Sequence, residues 1–200
     1  MNENLLQLKK DFGKYGSWAL WDDFGRITPF LGKDNFEKLI KPNIIFIGLN
    51  ASIEVLDDWM GYHQECRSES WFAPTFHIRK LAEILREEEF ETFKGAYMTD
   101  VIKNHYDPSS NTIADKIKKD NNLVLENLRL FENELKILSK ISDSGKFHII
   151  AMGNLAFDEL TKQALGHRVY KIYHYANWGE GEVKERIRED LRKIINDFKN

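Results

Sequence analysis

Apolar positions along this chain recur at two different periods. Four short apolar runs, Ile44–Ile47, Ala96–Ile102, Phe147–Met152 and Val169–His174, have strand length, and most are rich in β-branched or aromatic residues. Between them the apolar residues return every three or four positions, the spacing of one helix face. Phe76, Leu81, Ile84 and Leu85 predict a helix after Pro74, and Leu128, Phe131, Leu135 and Leu138 predict a longer amphipathic one. Val183, Ile187, Leu191, Ile194, Ile195 and Phe198 form the clearest stripe, opposite a face of Lys, Arg, Glu and Asp, which predicts a packed terminal helix.

Strands alternating with helices imply right-handed crossovers and a mainly parallel sheet covered on both faces. The expected fold class is therefore α/β, in three layers. No composition shift or internal repeat divides the chain, so residues 1–200 are read as one domain, with residues 1–42 as an aromatic-rich extension packed on the core. The run "REEEFE" at 86–91 reads as a solvated helix end, and "SSNT" at 109–112 as a loop leading into a helix. Ligands of such sheets bind in the crevice beyond the carboxyl ends of the strands, which directs attention to the residues that follow each apolar run.

Composition narrows the classes of function. With 200 residues and 42% hydrophobic content the chain can bury a sizeable core, and a formal charge of -3 argues against a broad basic surface for gripping duplex phosphates. Cys66 is the only cysteine, which excludes an internal disulfide, a multi-cysteine zinc site and a four-thiolate iron-sulfur cluster built within one chain. No stretch approaches the roughly 20 apolar residues of a membrane span, and the N-terminus lacks an apolar run long enough for a signal sequence. A cytoplasmic protein without membrane partners is expected. His63, Glu65, Cys66 and His77 raise a metal site, but their spacing lacks a second thiol or a paired-histidine motif, and no metal is expected.

The four strand ends read "GLNAS" (48–52), "YMTDVIK" (97–103), "MGNLAF" (152–157) and "YHYANWGEG" (173–181), with "ESWFAP" (69–74) placing aromatics before a helix. In this order, a Gly-x-Asn turn, an aromatic before a helix, a Tyr-x-Thr-x-x-x-Lys strand, a Gly-x-x-Ala turn and a strand ending in His, the chain resembles the uracil-DNA glycosylase superfamily. It looks most like the mismatch-specific and single-strand-selective branches. The resemblance covers roughly residues 43–180. It implies a central four-stranded sheet, DNA or a nucleobase-containing ligand as partner, no cofactor, and hydrolysis of the N-glycosidic bond of a damaged or deaminated base flipped from the stack.

The resemblance also assigns roles. Asn50 matches the water-positioning Asn, Phe72 the aromatic on which the base stacks, and His174 the imidazole that stabilises the leaving base. Gly48, Ser52, Asp100 and Asn177 complete the expected substrate contacts. The chain departs from the family's Gly-x-Asn-Pro-Gly at Ala51 and Ser52, and from its His-Pro-Ser at Tyr175 and Ala176. Asp100 stands where relatives have Asn; an ionised carboxylate only accepts hydrogen bonds, so it would favour a ring bearing an amino group or two N–H donors.

Each residue also has an ordinary reading. Asn50 caps a turn and Ser52 starts a helix, Trp71 and Phe72 fill the core, Asp100 positions Lys103 or caps a turn, and Lys103 is a solvated strand end. Gly153 makes room, and Asn154 caps the following helix. Trp178 could fill the space of an extruded base, although two nearby glutamates would repel phosphates. A non-catalytic nucleobase, nucleotide or nucleic-acid binding module on the same fold is the alternative function. An unrelated α/β enzyme acting on small molecules is a third.

Overall fold

The computed structural model describes residues 2–22, 34–51, 59, 74–103, 105–107, 109–162 and 166–199. Helix α1 (Glu3–Phe12) opens at Asn2, whose side chain accepts the Asn4 N–H, and it buries Leu5, Leu8 and Phe12. Strand β1 (Ser17–Trp18) and helix α2 (Phe36–Leu39) follow. Trp18 is fully buried, with edge-to-face contacts to Phe36, Trp59 and Tyr97 at centroid separations of 6.2, 5.8 and 5.0 Å. Leu5, Leu8, Phe12, Trp18 and Phe36 thus belong to the buried core cluster.

The remaining elements alternate as expected. They are β2 (Lys41–Asn50), α3 (Pro74–Ile84), a 3-10 turn (Glu88–Phe93), β3 (Ala96–Ile102), α4 (Ser110–Lys119), α5 (Asn121–Ser142), β4 (His148–Met152), α6 (Asn154–Lys162), β5 (Arg168–Ile172) and α7 (Glu180–Phe198). They build a five-stranded sheet in the order β1-β3-β2-β4-β5. The β2–β3, β2–β4 and β4–β5 pairings are parallel, and β1 joins β3 antiparallel. The sheet is therefore mixed, not purely four-stranded: the N-terminal extension adds an edge strand too short to show a period of its own.

Side-chain alternation along the strands separates two faces. Tyr97 and Thr99 of β3 meet Glu134 of α5 on one face. On the other, Phe46 of β2 contacts Phe93, which contacts Phe198 of α7. The run Ile44–Leu49 is buried throughout, as a strand covered on both faces requires.

The acidic run at 86–91 departs from expectation. Helix α3 stops at Ile84, and the 3-10 turn buries Phe90 and Phe93 while Glu87 and Glu89 pair with Arg188 and Arg192 of α7 at 2.7 and 2.8 Å. These partly exposed pairs join the turn to α7 and add little to stability. Ser109 caps α4 by accepting the Thr112 N–H, so "SNT" forms the first helical turn.

Next to the β5 edge strand, His148, the first residue of β4, lies 4.1 Å from the Phe198 ring and 6.2 Å from Tyr170. Burial, and secondarily the Arg168 charge, lower its pKa against the weaker opposing pull of Asp197; burial also lowers that of His167. A histidine depressed in the fold is protonated first in the unfolded chain, so stability falls as pH drops through about 6.5 toward the folded values. Urea midpoints measured across that window should show this loss. His148→Phe should flatten it, and an unchanged slope would remove His148 from the explanation.

Candidate functional site

Toward the carboxyl ends of β2, β3, β4 and β5, side chains from separate parts of the sequence pack against two glycines, Gly48 and Gly153. Gly48 lies level with Asp100 in the parallel β2–β3 register. Asp100 is only 4% exposed, and its carboxylate leans over Gly48 so closely that a methyl group there would collide with Oδ1. The Met152 Sδ-bound methyl is the next neighbour, 3.7 Å from the same point. Glycine at 48 is what lets a carboxylate lie across the middle of the sheet.

Gly153 performs the matching service for His174. Its φ of 93° is unfavourable for any residue with a side chain, and a Cβ there would lie 3.3 Å from both Cβ and Cδ2 of His174. The Gly153 N–H donates to the Ile172 carbonyl at 3.0 Å, and its own carbonyl accepts the Phe157 N–H at 3.3 Å. Gly153 therefore supplies the entry to α6, and Asn154, expected as the cap, is the first helical residue.

His174 follows β5 and is half-buried. Its Nδ1 accepts the Ala176 N–H at 3.1 Å, which places the proton of a neutral imidazole on Nε2. The Tyr175 ring stacks on it at 4.7 Å with an interplanar angle of 26°. Tyr175 is buried, and burial followed by the charge of Asp100 pushes its phenol ionisation far up, so it stays a neutral hydroxyl.

The loop carrying these groups is stapled from α3. Lys80 is 5% exposed, and its Nζ donates to the Tyr175 and Asn177 carbonyls at 3.1 and 2.9 Å. The Asn177 N–H donates to the His174 carbonyl at 3.2 Å. What Asn177 shows is thus main-chain support of the turn. The next residue, Trp178, is 90% exposed. The nearby glutamates are compensated: Glu180 pairs with Lys184 at 2.8 Å and Arg79 at 3.4 Å, and Glu182 with Arg186 at 2.6 Å. Local cations therefore offset the repulsion expected there.

Asn50 ends β2 and is half-buried. Its Nδ2 donates to the Ala51 and Asp107 carbonyls at 2.8 and 2.9 Å, while the Asp107 N–H donates to the Ala51 carbonyl at 3.2 Å. The amide nitrogen thus ties the loop after β3 to the lip of β2. Ser52, Trp71 and Phe72 lie outside the described residues, as do His63, Glu65 and Cys66 and the side chain of His77. Among the described residues, no group of three or more His, Cys, Asp or Glu is placed to hold a metal.

No family model, curated protein or solved structure matches the chain.

Lys103 corrects the expectation of a solvated strand end. It is 2% exposed and pairs with Glu134 Oε2 at 2.7 Å, with both side chains fully buried. Glu134 and Lys80 were not among the candidate residues. Both carry a signal, a charge at helical spacing within an apolar stripe: Glu134 three residues from Phe131, and Lys80 midway between Phe76 and Ile84.

Proposed function

We propose that this protein hydrolyses the N-glycosidic bond of a damaged or deaminated base in DNA, on a uracil-DNA glycosylase-like three-layer α/β fold with the base held at the carboxyl edge of the sheet. The observation that carries the reading is the close packing of the Asp100 carboxylate over Gly48 and of His174 over Gly153 at neighbouring strand ends, with the Tyr175 ring stacked on the imidazole. In the proposed reaction water adds to the sugar C1′ as the bond to the base breaks. The base departs with the bonding pair and is protonated, leaving an abasic sugar.

Each group has a definite task in this scheme. His174 directs Nε2–H toward the departing base, where a donor is worth most as negative charge develops. Asn50, with its nitrogen committed, orients water through Oδ1. Asp100 accepts from ring N–H or amino donors and so selects against a base that presents only a carbonyl to it. Trp178 offers an exposed indole for the gap left by an extruded base. Ser52 and Phe72 keep their proposed places in the substrate contacts.

A non-catalytic module that binds a nucleobase or nucleotide is the second reading, favoured by Tyr175 lying against the imidazole where the resembling motif has proline. One experiment separates the two: single- and double-stranded oligonucleotides carrying uracil, hypoxanthine, xanthine or mismatches, scored for alkali-labile abasic sites, with thermal shifts against free bases and nucleotides alongside. Turnover of any substrate supports the glycosylase. Stabilisation by ligand without abasic product supports the binding module, because a ligand that prefers the folded state stabilises it by mass action.

Gly48→Ala tests the geometry under either reading. The added methyl must displace the Asp100 carboxylate, so ligand affinity should weaken about tenfold, or about 1.4 kcal/mol. Titration of whichever base or nucleotide gives a thermal shift measures it. Unchanged affinity would place the ligand elsewhere.

A further inference from the structure

We infer that Lys103 and Glu134 are positioning residues for Asp100, forming a buried support that sets its peptide and hence where its carboxylate lies over Gly48; this rests on reading Asp100 as the group that meets the base. An ammonium has three N–H donors. Lys103 spends them on Glu134 Oε2 at 2.7 Å, Thr99 Oγ1 at 2.8 Å and the Asp100 main-chain carbonyl at 2.8 Å. Glu134 is itself held by the Tyr97 and Thr99 hydroxyls, at 2.6 and 3.1 Å from Oε1. The Lys103 N–H donates to Asn127 Oδ1 at 2.8 Å, and Asn127 Nδ2 donates back to the Leu123 carbonyl of the same helix at 2.8 Å.

Asn127 and Glu134 lie two turns apart on one side of α5, so the helix grips the end of β3 at two points. Tyr97 and Thr99 face α5, and the alternation of the strand turns Asp100 to the other side. The network therefore braces the strand from behind the site and holds Asp100 by its main-chain carbonyl. Packing alone does not call for such a cluster, because apolar residues of similar volume often replace a buried ion pair without loss. All three polar members of the Tyr-x-Thr-x-x-x-Lys motif converge on Glu134, a residue outside the motif.

The test needs no substrate, so it can fail independently of the glycosylase reading. Protein labelled with 13C at aspartate carboxyls is titrated by NMR as wild type and as the double variant Lys103→Met/Glu134→Gln. The double variant removes both charges together and leaves Gln to accept from Tyr97 and Thr99. Its Asp100 midpoint should move by about half a pH unit or more, while that of exposed Asp115 stays put. A folded double variant with an unmoved Asp100 midpoint would reduce the network to a structural role. If the double variant does not fold, Glu134→Gln alone decides: it weakens the Lys103 anchor, and an Asp100 midpoint identical to wild type overturns the inference.

Discussion

Glu134→Ala is expected to destabilise the protein by about 3–5 kcal/mol, the penalty for breaking a buried pair by removing one partner. The carboxylate and its Lys103 partner are both at 0% side-chain exposure, which leaves no route for water to replace the lost oxygen atoms. The deletion strands an ammonium and two hydroxyls at once. Burial, then the charge and hydrogen bond of Glu134, push the Tyr97 phenol well above its ordinary ionisation range, so Tyr97 remains a neutral donor and cannot supply a compensating negative charge. Glu134→Gln should lose less, since an amide oxygen still accepts from Tyr97 and Thr99. Equilibrium urea denaturation reads both. A loss below about 1 kcal/mol for the alanine variant would mean that the pair behaves as an exposed one.

The same cluster shows where sequence reading stops. The run Ala96–Ile102 coincides with β3, and Phe147–Met152 misses the start of β4 by one residue, because buried parallel strands announce themselves as apolar runs. The run Val169–His174 overshoots β5, which ends at Ile172 when the Tyr173 N–H turns to Asp190 Oδ2 at 3.0 Å on α7. A carboxylate from another helix can take a strand's hydrogen bond without leaving any trace in the strand's own pattern. Strand β1 was illegible for a different reason: two residues cannot display a period, and its pairing with β3 depends on the Trp18 ring finding Phe36, Trp59 and Tyr97.

At the site, the strand-end positions of Gly48, Asn50, Asp100 and His174 were legible because parallel topology puts such ends along one edge. Their orientations were not. Nothing local to "GLNAS" says that Asn50 would spend its amide nitrogen on Asp107, and nothing in "YHYANW" says that Lys80 would hold its carbonyls. Lys103 is the clearest case. A lysine just past a strand has the composition of a surface residue, and only the glutamate on the apolar stripe of α5 reveals that it turns inward.

If the protein cleaves N-glycosidic bonds, His174→Ala should lower single-turnover excision by about 10²–10³, the loss associated with deleting one preorganised donor to a developing anion. The acceptor role of Nδ1 toward the Ala176 N–H makes the prediction more specific. Once His174 is neutral, its remaining proton is on Nε2, so a rise in pH does not remove the donor. A base departing as an anion can use either the neutral or the charged ring, and the rate should therefore persist above the imidazole range instead of collapsing there. His174→Gln retains an N–H donor of different reach and should fall between wild type and alanine. Asp100→Asn should act differently, on substrate choice: an amide both donates and accepts, so preference should move from rings with amino groups toward uracil-like rings with a carbonyl at that edge. Competitive excision from oligonucleotides carrying paired lesions measures that ratio directly. An Asp100→Asn variant that slows every base equally would make the carboxylate a support for Tyr175, and the selection of the base would then rest with His174 and the stacking aromatic.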